Sequence, residues 1–271
     1  MIEFLQQFHP VTQALIGGGY AFLVTALGAA CIYTFSSLNR KLFDGMLGFS
    51  AGIMLAASVW SLLLPAIEMS ALRGHHAKWM IPACGFLVGG LFLRLVDKIL
   101  PHIHPDMVVL KEEGIKTHWQ KSTLLVLAIT LHNIPEGLAI GVAFGAAGFG
   151  VEGATLAGAL ALAIGIGIQD FPEGFAVAMP LRKLGKSVNR SFFYGALSGI
   201  VEPIAAVIGA AAVMLSKNML PYALSFAAGA MVFVVIEEVI PEAGSGGNED
   251  IATTGAMIGF ALMMVLDVAF S

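Results

Sequence analysis

Charge is scarce in this sequence. Only 12% of its 271 residues are Asp, Glu, Lys or Arg, too little polar side chain to cover a soluble globule of this size. Cysteine is nearly absent. The two present, Cys31 and Cys84, both fall within apolar runs and support neither a disulfide framework nor a thiolate metal site. Basic blocks are missing, and the net charge is −4, so nothing points to nucleic acid. The stretch Met1–His9 has no Lys or Arg and no short apolar core before a small-residue cleavage site, so it does not read as a removable signal. No His-Glu-x-x-His motif occurs, which counts against an intramembrane metalloenzyme.

Hydrophobic side chains make up 58% of the chain, and the mean hydropathy is +0.86. About 20 apolar residues suffice to cross a hydrocarbon core. Eight runs meet that length, at roughly 11–35, 46–67, 79–100, 122–147, 153–179, 191–215, 219–241 and 251–270. The runs are continuous rather than alternating, which excludes a β-barrel. The expectation is an all-α membrane protein, with residues 1–271 forming one polytopic domain. Lys and Arg set its orientation. The connections after spans one, three and five hold ten of them, against three (Arg73, Lys78, Lys217) on the other side. The odd-numbered connections, including the long polar loop at 101–121, are thus expected in the cytoplasm and both termini outside.

Two copies of one hexad lie inside apolar runs: His132-Asn133-Ile134-Pro135-Glu136-Gly137 and, 37 residues later, Gln169-Asp170-Phe171-Pro172-Glu173-Gly174. Positions i, i+3 and i+4 share a helix face, so His132, Asn133 and Glu136 converge, as do Gln169, Asp170 and Glu173. A carboxylate at the bilayer centre costs about 2.5–3.5 kcal/mol on insertion scales. Glu202, in Ser198-Gly199-Ile200-Val201-Glu202-Pro203 of span six, brings the intramembrane acids to Glu136, Asp170, Glu173 and Glu202. Two divalent cations would neutralise that set; with one, some carboxyls must carry protons. Adjacent sites bridged by Glu136 and Glu173 fit best. Pro135 and Pro172 lack an N–H and are expected to bend their helices, freeing the carbonyls of Leu131 and Ile168.

The donor set combines imidazole, carboxylate and amide without thiolate, which suits Zn²⁺, Fe²⁺, Mn²⁺ or Co²⁺ and disfavours Cu⁺. Met54 is a candidate soft contact. A second, fainter repeat pairs Phe49–Leu55 in span two with Phe226–Val232 in span seven, each followed by a proline (Pro65, Pro241) and an acid. Those spans run in opposite directions, as in an inverted repeat with a site at its interface.

The hexads, the Ser-Gly-x-x-Glu-Pro of span six and the Asp97…Pro101-His102-x-His104 run resemble the ZIP (Zrt-/Irt-like) divalent-metal transporters, in particular their bacterial GufA-like branch. The resemblance covers nearly everything from Asp44 onward. It implies eight helices arranged 3+2+3, helices 1–3 and 6–8 being inverted copies around helices 4 and 5. It also implies a homodimer in a bacterial inner membrane, a binuclear site, and elevator-type movement of one bundle against another. Carried over residue by residue, His132, Glu136, Gln169 and Glu173, with Met54 nearby, would form one metal position. Asn133, Glu136, Asp170, Glu173 and Glu202 would form the other. Gln169 stands where a second histidine is common, which leaves room for Fe²⁺, Mn²⁺ or Cd²⁺ beside Zn²⁺.

The implied function is movement of divalent metal, zinc foremost, into the cytoplasm, with no catalytic cofactor and no enzyme activity. A proton-coupled carrier of a non-metal substrate is the alternative, and a metalloenzyme the weaker one. Asp97, His102 and His104, with Glu112 and Glu113, are further candidates for receiving metal on the cytoplasmic side. Glu68 and Glu238 are candidates for the two ends of the path. Arg94 and Asp267 are costly in lipid and have no assigned role.

Overall fold

The computed structural model describes residues 2–35, 39–72, 78–99, 102–104, 111–113, 121–150 and 154–270. After a one-turn helix at Ile2–Leu5, the long helices are α1 (Pro10–Tyr33), α2 (Arg40–Ala71) and α3 (Met80–Ile99). They continue with α4 (Lys121–Ala147), α5 (Leu156–Lys183), α6 (Val188–Leu215), α7 (Lys217–Gly244) and α8 (Glu249–Phe270). Seven of them, α4 apart, have the length and hydropathy to cross a membrane among the described residues. Of the expected 101–121 loop, His102–His104 and Lys111–Glu113 form a short antiparallel ladder with His102 opposite Glu113.

The helices outrun the apolar runs at their polar ends. α2 starts at Arg40 rather than 46, because the Asn39 side chain accepts from the Lys41 N–H at 2.9 Å and caps it. Hydropathy marks only the part of a helix that lies in hydrocarbon, and capping sets the true end.

Pro135 and Pro172 sit inside α4 and α5, which run on as uninterrupted α-helices. Each proline removes one hydrogen bond, and the turns on either side hold the helix. Wide π turns fall elsewhere, at Ser58–Leu63 ahead of Pro65 in α2 and at Val235–Val239 ahead of Pro241 in α7. The extra residue in a π turn gives room where the proline ring would meet the preceding turn. α6 breaks outright at Gly199–Ile200 and resumes at Val201, which puts Pro203 in a first turn that needs no donor from it.

Small residues decide which helices touch, as expected for membrane helices that gain from close backbone approach. Added side chains at Gly52 and Gly259 would strike the carbonyls of Ala256 and Phe49, so α2 and α8 are locked together. Gly229 against Phe86 and Gly89 against Phe226 do the same for α7 and α3. Gly137 lies on the carbonyl of Glu202, joining α4 to α6, and Gly174 lies on that of Thr25, joining α5 to α1. The close approaches thus join α1, α4, α5 and α6 to one another, α2 to α8 and α3 to α7; α7 also packs on the π turn of α2, so the helices fall into α1, α4, α5, α6 and α2, α3, α7, α8. Of the seven, α5 is the most buried, with 78% of its apolar stretch inside the protein, against 28% for α3 and 22% for α8. The main core gathers Ile53, Met54, Ile140, Phe144, Leu162, Ile166 and Leu224 around α4 and α5. Leu87, Leu91, Ile208, Met257 and Val265 remain on the outer surface.

Candidate metal centre

α4 and α5 cross with their hexads side by side. His132, Asn133, Glu136, Gln169, Asp170 and Glu173 are all buried, as is Glu202. One carboxylate oxygen each from Glu136, Asp170 and Glu173 lies within 4.8 Å of the others. Gln169 Nε2 donates to Glu136 Oε1 and to Asp170 Oδ1 at 3.1 Å. Glu202 joins from α6: its Oε1 accepts from Asn133 Nδ2 at 3.0 Å and from Thr25 Oγ1 at 3.1 Å. Asn133 Nδ2 also reaches the Ser198 carbonyl at 3.2 Å. Glu202 occupies the first turn of the resumed half of α6, where free N–H groups and the helix dipole favour negative charge.

Six oxygens in this cluster are buried without a hydrogen-bond partner among the described residues: Asn133 Oδ1, Glu136 Oε2, Gln169 Oε1, Asp170 Oδ2, Glu173 Oε2 and Glu202 Oε2. Buried acceptors are normally satisfied, and burying an uncompensated charge is costlier still. What the six share is the ability to coordinate a cation. Carboxylate and amide oxygens with an adjacent imidazole form a donor set for a first-row divalent ion.

His132 faces the other helix group. Its Nε2 meets Glu238 Oε2, and both line a narrow cavity with Asp97, Leu93 and Phe233. Glu238, a candidate for one end of the path, lies in the π turn of α7 at the edge of the first hexad. Asp97 joins the same cavity from α3. Met54 is fully buried in α2, one turn from Ser50 on the same face, and Ser50 Oγ donates to the Gln169 carbonyl at 3.1 Å. Glu68 is exposed and stays apart from the cluster. The side chains of His102 and His104 lie outside the described part of the structure.

Asp267 and Arg94 separate in character. Arg94 is exposed on α3. Asp267 is buried, and Ser61 Oγ lies 2.7 and 2.8 Å from its two oxygens. The pair edges a cavity of about 170 Å³ between α2, α4, α5, α7 and α8.

A family model described as ZIP Zinc transporter matches residues 110–267, which span both hexads and Glu202. The chain belongs to the ZIP zinc-transporter family. It is 40% identical to the zinc transporter ZIP11 of Homo sapiens, with 97% of this chain and 99% of the relative aligned. It is 41% identical to the zinc transporter GufA of Myxococcus xanthus (94% and 98%), and 39% identical to the zinc transporter ZIPB of Bordetella bronchiseptica (96% and 82%). These relatives are named as transporters and not as enzymes. The membrane-spanning helices and the family together make this ZIP chain a multi-pass membrane protein of a divalent-metal transport family. Thr25 and Ser50, which touch the cluster of this ZIP protein, precede the residues matched by the family model. A hydroxyl in an apolar run carries no signal of its own, and only the fold shows what it meets.

Proposed function

We propose that this protein carries Zn²⁺ into the cytoplasm through a binuclear site between the hexads. His132, Glu136, Gln169 and Glu173 hold one position, with Met54 beside it; Asn133, Glu136, Asp170, Glu173 and Glu202 hold the other. The observation that carries this reading is the set of six buried, partnerless oxygens, which two divalent cations would satisfy while neutralising four carboxylates. The zinc transporters named above support zinc as the cargo. The oxygen-rich set left by Gln169 extends the proposal to Fe²⁺, Mn²⁺ and Cd²⁺.

The path proposed beyond the site runs through His132, Glu238 and Asp97 to His102 and His104 on the cytoplasmic side, with both termini outside a bacterial inner membrane. The loop at 101–121 belongs to the same single domain. The architecture proposed is eight spans as 3+2+3, two inverted repeats around α4 and α5. Supporting it, packing partners interchange when α1 is swapped for α6, α2 for α7, α3 for α8 and α4 for α5: Gly52 on Ala256 becomes Gly229 on Phe86, and Gly137 on Glu202 becomes Gly174 on Thr25. The elevator reading has support of the same kind. Close backbone contacts stay within the two helix groups, and polar side chains such as Ser50 and His132 bridge them. A homodimer would cover part of the apolar outer face.

Uptake into proteoliposomes tests the site. Glu136→Ala should lower Zn²⁺ uptake by at least about a hundredfold, more than loss of an outer-shell partner usually costs, and His132→Ala should also impair it. Wild-type rates in both variants would overturn the assignment.

A further inference from the structure

Thr25 of α1 and Glu202 of α6 meet beside the acidic cluster. Gly174 of the second hexad lies on the carbonyl of Thr25, and Gly137 of the first lies on that of Glu202, so the two residues hold corresponding places on α1 and α6. They are 177 residues apart, the same separation that carries Phe49 to Phe226. Where α6 supplies a carboxylate, α1 supplies a hydroxyl. We propose that Thr25 is a positioning residue for the second metal position, holding Glu202 by one oxygen so that the other is presented to the cation. The inference rests on the reading of Glu202 as a metal ligand.

Three features support it. First, Glu202 Oε1 receives two donors from different helices, Thr25 Oγ1 of α1 at 3.1 Å and Asn133 Nδ2 of α4 at 3.0 Å, while Oε2 is buried without a partner. Two donors on one oxygen fix the carboxylate plane and leave the second oxygen for coordination.

Second, the space around Glu202 Oε1 is closed. A Cβ placed on Gly199 would stand 2.8 Å from Glu202 Oε1 and 3.0 Å from the Thr25 Cβ and Cγ2 atoms. The break in α6 therefore leaves room for these two side chains and for nothing larger.

Third, threonine has somewhere to put its proton. Its Oγ1 also lies 3.2 Å from the Ala21 carbonyl, and a hydroxyl has a single hydrogen. An ionised Glu202 attracts that hydrogen more strongly than the neutral carbonyl does. If the carboxylate turns fully to a cation, the hydroxyl can return to Ala21 without being left unsatisfied. Valine has the same shape but offers neither bond.

The test is calorimetric titration of the full chain with Zn²⁺ in detergent micelles. Thr25→Val should weaken one of two binding events by about tenfold, the scale of a hydrogen bond to a charged group, while the other keeps its affinity. Thr25→Ser should restore it. Thr25→Ala serves for the valine variant if that protein does not insert. Wild-type binding in Thr25→Val or Thr25→Ala, or a serine variant as weak as they are, would overturn the proposal, because a packing role alone needs no hydroxyl. Glu202→Gln separates the two levels. If it removes one event while the Thr25 variants change nothing, only the positioning role fails. If Glu202→Gln itself binds like wild type, the ligand assignment fails and the role of Thr25 falls with it.

Discussion

The side-chain amide of Gln169 donates to Glu136 across the two hexad helices and, from the same nitrogen, to Asp170 at 3.1 Å. One amide thus ties two carboxylates while its own Oε1 stays buried without a partner. An imidazole in this place would offer a nitrogen donor where the amide offers an oxygen.

Selectivity is therefore expected to depend on this residue. Gln169→His should raise the preference for Zn²⁺ over Mn²⁺, because a second imidazole favours zinc over an ion that prefers oxygen. Competition uptake with paired isotopes in proteoliposomes measures the ratio. An unchanged Zn²⁺/Mn²⁺ ratio would place Gln169 outside the coordinating set.

Removing metal should destabilise the fold. With the four acids unneutralised, their repulsion acts against the packed state, and a ligand that binds only the folded protein adds about 2.7 kcal/mol at a hundredfold excess over its Kd. Melting curves with Zn²⁺ and with a chelator should differ clearly for wild type. In a Glu136→Ala/Glu173→Ala double variant, which lacks both bridging acids, the difference should shrink.

Ser50 bonds the Gln169 carbonyl from the opposite helix group. Its replacement by alanine removes a net ~1 kcal/mol from the arrangement seen here, enough to shift a two-state population about fivefold. Spin labels at the exposed positions Leu42 and Leu184, in a protein without Cys31 and Cys84, should show a redistributed distance in Ser50→Ala. The same distribution as the parent protein would mean that this bond does not bias the two groups.

Helix contact should tolerate change at one glycine and not at another. Gly52→Val drives a side chain into the backbone of α8 at Ala256 and Phe260, whereas a Cβ at Gly19 meets nothing within 4 Å. The first should cost about 1–3 kcal/mol or more through overpacking; the second should be neutral or gain up to ~1 kcal/mol from helix propensity. Thermal unfolding in detergent compares them, and equal melting temperatures would contradict the tight α2–α8 contact.

Much of this protein was legible along the chain. Apolar runs of the right length marked the helices, because hydrocarbon admits only a backbone that satisfies itself. The hexads marked where buried acids gather, because buried carboxylates need compensation whatever their surroundings. Helix ends were less legible, since Asn39 caps α2 outside the apolar run. So was the place of the π turns, which fall ahead of Pro65 in α2 and Pro241 in α7 and not at the hexad prolines.

Tertiary structure alone decided which side chains meet. Glu238 reaches His132, Ser61 answers Asp267, and Thr25 holds Glu202 across 177 residues of sequence. Hydropathy and motif spacing describe one helix at a time. These contacts depend on the register at which two helices lock, and that register is set by glycines whose meaning appears only when a neighbouring backbone lies against them.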